Sequence, residues 1–176
     1  MGHTRPVTVK LCTVITMIKK RLTTELENKV DLKNRLIVKI AESDQDKASC
    51  FQIRTKVFVL EQGVDANHEI DNLDDTCTHA IAMIDSEPIG TGRLIKLSPT
   101  EAQIGRMAIL HEWRRFNIGT EILNLLENSA KSQYIHKIIL HAQLYVQDFY
   151  KGNGYSATGE VFLDENIPHI LMHKNI

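Results

Sequence analysis

The stretch Ile104-Gly105-Arg106-Met107-Ala108-Ile109-Leu110 reads as a strand. It runs through His111-Glu112-Trp113-Arg114-Arg115-Phe116-Asn117 into a helical pattern that opens at Ile118-Gly119-Thr120. Unpaired backbone N–H groups at such a helix start, with the positive end of the helix dipole, make a seat for an anion such as a phosphate or pyrophosphate. Arg114 and Arg115 add guanidinium charge beside it. Gly119 lacks a Cβ where a bound group would approach the chain closely. The same residues would also serve as a plain strand–helix connection with arginines on a solvated surface.

Three further sets of residues have types suited to proton transfer. Tyr150 stands in Phe149-Tyr150-Lys151-Gly152-Asn153-Gly154-Tyr155, and by position alone it caps a core with its hydroxyl outward. Residues 61–75 carry six carboxylates (Glu61, Asp65, Glu69, Asp71, Asp74, Asp75) and no Lys or Arg. Such a run is ordinarily a solvated face. Laid over a site, it would attract a cationic amine and take a proton from it through water. His79, His141 and His169 are the third set, since imidazole is the side chain that exchanges protons near neutral pH. On an apolar strand each also suits a satisfied core position. His169-x-x-x-His173 has a ligand-like spacing, but on a strand those two are too far apart to chelate, and no metal is assigned.

The elements that position these residues follow from periodicity and punctuation. Leu36–Ile40 is a short β-type run. Ser43 or Asp44 caps a helix with Ala48, Phe51, Thr55 and Phe58 on one face, ending near Gly63. Residues 64–77 are polar and irregular. Alternation in His79–Ile84, the turn Asp85-Ser86-Glu87-Pro88 and the run Ile89–Leu97 predict a hairpin. Ala102–Leu110 is a strand, Ile118–Ser129 a helix, Lys137–Gln143 an apolar strand and Tyr145–Lys151 a short helix stopped by Gly152 and Gly154. Strands around Ala157–Leu163 and His169–His173 close the chain. The strand–helix–strand part calls for parallel neighbours and the hairpins for antiparallel ones, so a mixed sheet is expected.

Composition bounds the class. The 176 residues are 43% apolar and 24% charged, an ordinary globular balance. No apolar run approaches the ~20 residues of a membrane span. Cys12, Cys50 and Cys77 are odd in number and form no CxxC pair, so a reducing, cytoplasmic setting is expected. Residues 1–35 hold eight Lys/Arg against three Asp/Glu, and residues 36–176 hold thirteen against nineteen. A basic extension, 1–35, therefore precedes an acidic domain, 36–176, and an acidic body is a poor partner for nucleic acid. The first 24 residues are acid-free and rich in threonine, in the manner of an organellar presequence, but Val7–Ile18 suits a strand better. Thr24-x-x-Glu27 reads as the capping box of a short helix.

Taken together, these motifs resemble the GNAT superfamily of N-acetyltransferases. That superfamily carries Gln/Arg-x-x-Gly-x-Gly/Ala at the anion turn. Arg114-x-x-Asn117-x-Gly119 follows the pattern with Asn at the first Gly, Asn being the residue other than Gly that best tolerates a left-handed backbone. Phe149-Tyr150-x-x-x-Gly154-Tyr155 resembles a second superfamily segment. Val57–Val64, Glu69-x-Asp71-x-x-Asp74, His79, Leu140–Gln143 and Ile167-Pro168-His169 resemble the ElaA/YjcF-type subgroup.

The resemblance implies an α/β (mixed α+β) fold with a mostly antiparallel twisted sheet, a splayed parallel pair in its middle and helices on both faces. It implies acetyl-CoA as co-substrate, with the pyrophosphate on Arg114, Arg115, Phe116, Asn117, Ile118, Gly119 and Thr120. It also implies pantetheine against Met107, Ala108, Ile109 and Gln143, and Tyr150 as the acid for the departing sulfur. The base is sought in the carboxylate run, with Glu69, and in His79, with His141 and His169 as alternatives. No cysteine falls in these motifs, so direct transfer to a primary amine is expected. The acceptor would be a small amine, polyamine or amino sugar, and a homodimer is compatible with the fold. Two other readings stay open, an acyl-CoA sensor without turnover and a protein acetyltransferase.

Overall fold

The computed structural model describes residues 31–176 apart from Lys33. The strand expected at Val7–Ile18 and the capping box at Thr24–Glu27 lie outside the described residues. Seven strands form one sheet in the order β1-β2-β3-β4-β5-β7-β6. In chain order they are β1 (Leu36–Ile40), β2 (Thr78–Ile84), β3 (Glu87–Lys96), β4 (Glu101–Ile109), β5 (Lys137–Gln143), β6 (Ser156–Asp164) and β7 (Ile167–Asn175). Among the described residues after β1, the α-helices are α1 (Asp44–Arg54), α2 (Ala66–Glu69), α3 (Ile118–Ser132) and α4 (Gln147–Gly152). The chain divides by its contacts after Leu36, with Ile37–Ile176 as one compact unit.

β4 and β5 pair in parallel; β2–β3, β3–β4, β5–β7 and β6–β7 are antiparallel. The β2–β3 turn has Asp85 at φ 49 and Ser86 at φ 70, so both central residues are left-handed, the backbone that matches the twist of a two-residue hairpin. The β6–β7 turn repeats this with Glu165 at φ 49 and Asn166 at φ 60.

Side-chain alternation along β3 separates the layers. Gly90 and Gly92 face α3, where an added Cβ would meet Ile122 and Leu126. Thr91, between them, points to the opposite face; its hydroxyl donates to the Ala80 carbonyl at 2.8 Å, beside Cys50 of α1, whose thiol shares that acceptor. The apolar stripe of α3, Ile118, Ile122, Leu123, Leu126 and Ala130, is fully buried at the spacing of one helix face.

The helix expected from Asp44 to Gly63 forms in two parts. Ser43 caps its start, accepting from the Asp46 N–H at 3.1 Å. After Arg54 the turns widen into a π-helix, Thr55–Glu61. The Thr55 hydroxyl donates to the Phe51 carbonyl at 2.9 Å, which takes up an acceptor of the α-helical ladder where the geometry changes.

Candidate active site

β4 carries the first feature of the site. Arg93 of β3 faces Gly105 and Thr91 faces Ala108, so Arg106 and Met107 together oppose the single residue Gly92. This is a β-bulge, and Arg106 sits in it with φ 52, a left-handed conformation that strands rarely hold. The parallel pairing of β4 with β5 covers only Glu101–Gln103 against Lys137–Ile139. Beyond Gln103 the two strands part. The Leu110 N–H donates to Ile89 on the β3 side at 3.0 Å, so by alternation the peptide groups of Ile109 and Met107 turn towards the gap. The cleft that opens there is lined by Met107, Gln143, Tyr150, His141, His169 and Glu69, among others.

The turn after β4, expected from the sequence to seat an anion, has a left-handed backbone at two residues. Arg115 at φ 70 and Asn117 at φ 64 are both left-handed. Asn117 caps α3 through its carbonyl, which accepts from Thr120 and Glu121 at 3.1 and 3.2 Å, while its side chain makes no cap bond. The N–H groups of Arg115 to Gly119 have no acceptor among the described residues. Ile118 is buried and pins the turn, while Arg115, Phe116 and Asn117 are exposed.

Two residues of this turn make protein contacts that the sequence does not announce. Arg114 holds Glu61 through both Nη atoms, at 2.7 and 2.6 Å, and its Nε donates to the Ile109 carbonyl at 3.0 Å. Gly119 is small for a packing reason, because a Cβ there would lie 3.2 Å from Phe149 Cζ. The anion turn is thereby packed against the residue that precedes Tyr150.

Tyr150 lines the cleft at 7% exposure, and its hydroxyl has no partner among the described residues. Phe149 and Tyr155 meet its ring edge-on, at 4.9 and 5.9 Å between centroids. Burial pushes the phenol far above its ordinary value, so it stays protonated across the neutral range. Gln143 ends β5 in the same cleft, and its amide donates to Gln62 at 2.9 Å.

Glu69, Asp71 and Asp74 of the carboxylate run are bound by arginines, while Glu61, Asp65 and Asp75 are exposed. Besides Glu61 on Arg114, Arg54 reaches Glu69 at 2.5 Å and Asp74 at 2.7 Å. Arg93 binds Asp71 at 2.9 Å and Asp74 at 2.7 Å, and Arg106 Nε lies 3.3 Å from the second Glu69 oxygen. Asp65 caps α2, accepting from the Asn67 N–H at 2.8 Å. Glu69 is in the cleft wall, but each of its oxygens faces a guanidinium, and its evident task is to hold Arg54 and Arg106. Burial pushes the Asp74 carboxyl up, yet the hydrogen bonds from Arg54, the Asp71 N–H and Arg93 outweigh it and hold it well below the usual carboxylate range.

The histidines separate by place. His79 is 1% exposed and outside the cleft wall. Its Nε2–H donates to the Asp74 carbonyl at 3.0 Å, its Nδ1 is buried without a partner, and burial pushes its imidazole below the ordinary value. Buried there, it has no route to an acceptor amine. His141 and His169 do line the cleft with Tyr150. Sequence reasoning missed Arg54, Arg93 and Arg106. Their signal was an arginine inside an otherwise apolar helix face or strand, a position that a cation occupies only when paired.

This arrangement, a bulged β4 parted from β5 and leading into an unpaired N–H turn, is matched by known proteins. The family model described as "Acetyltransferase (GNAT) domain" covers residues 39–176. The chain belongs to the GNAT acetyltransferase family. YjcF of Bacillus subtilis (strain 168), described as an uncharacterized N-acetyltransferase, is 34% identical over 137 residues, which is 77% of this chain and 97% of that protein. An acyl-CoA N-acyltransferase from Pseudomonas aeruginosa is 26% identical with a TM-score of 0.70, over 79% of this chain and 99% of the other. Escherichia coli ElaA shares the fold with a TM-score of 0.71 at 24% identity, over 80% and 99% of the two chains. This GNAT protein is an N-acetyltransferase, and hence an acyltransferase, with the mixed, mostly antiparallel sheet of its family.

Proposed function

We propose that this GNAT protein moves an acetyl group directly from acetyl-CoA to the primary amine of a small acceptor: a small amine, a polyamine or an amino sugar. The observation that carries the reading is the Tyr150 hydroxyl, protonated and without a protein partner in the cleft where β4 and β5 part. A thiolate leaving there meets a donor that has no competing acceptor. The peptide groups of Met107 and Ile109 face the same gap and are suited to pair with an amide-bearing pantetheine and to polarise the thioester carbonyl. The unpaired N–H groups of Arg115 to Gly119 suit the pyrophosphate. The similarity to an acyl-CoA N-acyltransferase supports the donor class.

The test is Tyr150→Phe. Phenylalanine keeps the ring and its contacts and removes a proton donor needed only as the C–S bond breaks. Turnover of acetyl-CoA with an accepted amine should fall by about 10²–10⁴ while acetyl-CoA affinity stays nearly constant by calorimetry. Unchanged turnover would remove Tyr150 from the mechanism. If no amine gives turnover and the substitution alters binding alone, the protein is an acyl-CoA sensor.

A further inference from the structure

The reaction needs a base, because an amine is mostly protonated at neutral pH and an ammonium has no lone pair to attack with. Both residues that the sequence put forward are committed elsewhere: His79 is buried outside the cleft wall, and Glu69 faces Arg54 and Arg106. We propose that His169 is the general base, with its Nε2 receiving the acceptor's proton. This rests on the acetyl-transfer reading above and adds the second half of its proton transfer.

Four observations converge on this ring. His169 lies in the cleft wall with Tyr150, and its register partner on β5 is Gln143, also in that wall. Its Nδ1 is 2.8 Å from the Ile167 carbonyl oxygen. A carbonyl can only accept, so the proton sits on Nδ1, and the neutral ring keeps its lone pair on Nε2. Nε2 has no partner among the described residues and is not sealed from solvent. The ring plane is held by Phe162, stacked at 6.0 Å and 25°, and Phe162 is in turn met edge-on by His141 at 5.1 Å. Tautomer and ring plane are both set, as a base in a preorganised site requires.

The other titratable and charged groups of the cleft wall are His68, Glu69, Arg93, Arg106, His141, Tyr150, Asp164 and Glu165. His68 Nδ1 is 2.8 Å from Glu165, and Glu69 and both arginines belong to the ion-pair network. Asp164 and His141 are exposed. Tyr150 holds its proton. His169 is the group among them whose tautomer is fixed by a backbone carbonyl and whose other ring nitrogen has no partner among the described residues.

The protons balance. His169 Nε2 takes one proton from the ammonium. The amine nitrogen then forms the C–N bond at the thioester carbonyl, and the C–S bond breaks as Tyr150 protonates the sulfur. The second nitrogen proton leaves on collapse and makes good the one Tyr150 donated. The proton on His169 returns to water, so each turnover releases amide, free thiol and one proton.

The test is His169→Asn in the full chain, with His141→Asn beside it. Asparagine can still donate to the Ile167 carbonyl, but it has no acceptor at the Nε2 position. For an accepted amine, kcat/KM of His169→Asn at pH 7 should fall at least 100-fold, with acetyl-CoA affinity within about twofold of wild type. Its pH profile should climb steadily towards the amine's own pKa, where wild type reaches a plateau at lower pH. His141→Asn should keep the wild-type limb. Ring nitrogen shifts by NMR should show the proton of neutral His169 on Nδ1. The proposal is overturned if His169→Asn keeps the limb and loses less than threefold, if His141→Asn loses the limb, or if the proton is on Nε2. Wild-type turnover with an unaffected His169→Asn sinks the base alone. A wild type that acetylates no amine sinks the transfer reading and the base with it.

Discussion

Gly92 lies against Met107: a methyl group on the Gly92 Cα would fall 2.5 Å from the Met107 sulfur. It would also meet Ile122 Cγ2 at 2.9 Å and Leu126 Cδ1 at 3.0 Å. The residue opposite the β4 bulge is therefore a glycine because the bulge swings Met107 over it, between the sheet and α3. The bulge that aims the Met107 peptide group at the cleft thus depends on a missing side chain one strand away.

Gly92→Ala should accordingly cost about 1–3 kcal/mol of folding stability, the usual price of overpacking a filled core, and raise KM for acetyl-CoA. Gly105→Ala is the control, since nothing lies within 4 Å of its added methyl. Its stability should stay within about 0.5 kcal/mol of wild type. Denaturant midpoints at constant slope decide between them, and equal effects would remove the packing argument.

Asn117 makes no side-chain cap bond and holds φ 64. Asn117→Gly should therefore keep stability and acetyl-CoA binding. Asn117→Ala should lose up to about 1 kcal/mol of stability, because alanine keeps the Cβ in the left-handed region without the short polar side chain that makes asparagine tolerant of it. Thermal melts and calorimetric titration of the pair check this; a large binding loss in the glycine variant would reveal a contact by the amide itself.

Glu61 neutralises Arg114 beside the anion seat, and the guanidinium holds its carboxyl below the usual range. Glu61→Gln should release that cation and tighten acetyl-CoA binding about two- to fivefold, an effect that shrinks in high salt. Adding Arg114→Ala should abolish the gain. Weaker binding by Glu61→Gln would mean that the pair is needed to shape the turn.

Acid should unfold the protein through Asp74. Its folded carboxyl titrates below the unfolded value of about 3.9, so its contribution is complete above that pH and is lost as pH falls towards the folded value. His79 acts in the same direction. Burial depresses its imidazole, and charging it favours the unfolded chain as pH falls below about 6.5. Asp74→Asn should cost about 3–5 kcal/mol at pH 7, because Arg54 and Arg93 are left buried with too little counter-charge. Urea unfolding between pH 3 and 8 measures both, and the variant's curve should be flatter at the acid end.

What the sequence determined alone is what short-range rules carry. Alternation and helical spacing placed the strands from Leu36 to Asn175 and the long helix from Ile118 within a few residues, because the sheet and helix periods are local properties of the chain. Asn117 at a left-handed turn position, ahead of unpaired N–H groups, was legible for the same reason. The motif singled out Tyr150, which the fold places in the cleft wall.

Tertiary structure decided everything that depends on register between strands or on charges distant in sequence. β2 is buried on both faces through its middle, so no alternation could tell that His79 turns into the interior. The side of the sheet that His169 faces is set by its pairing with Gln143, across a helix and a hairpin. Glu61, Glu69, Asp71 and Asp74 look like part of a solvated run when read in order, because the arginines that bind them come from α1, β3, β4 and the turn after β4. A charge is a base or a strut according to what the fold places within about 3 Å of it, and a linear sequence does not carry that distance.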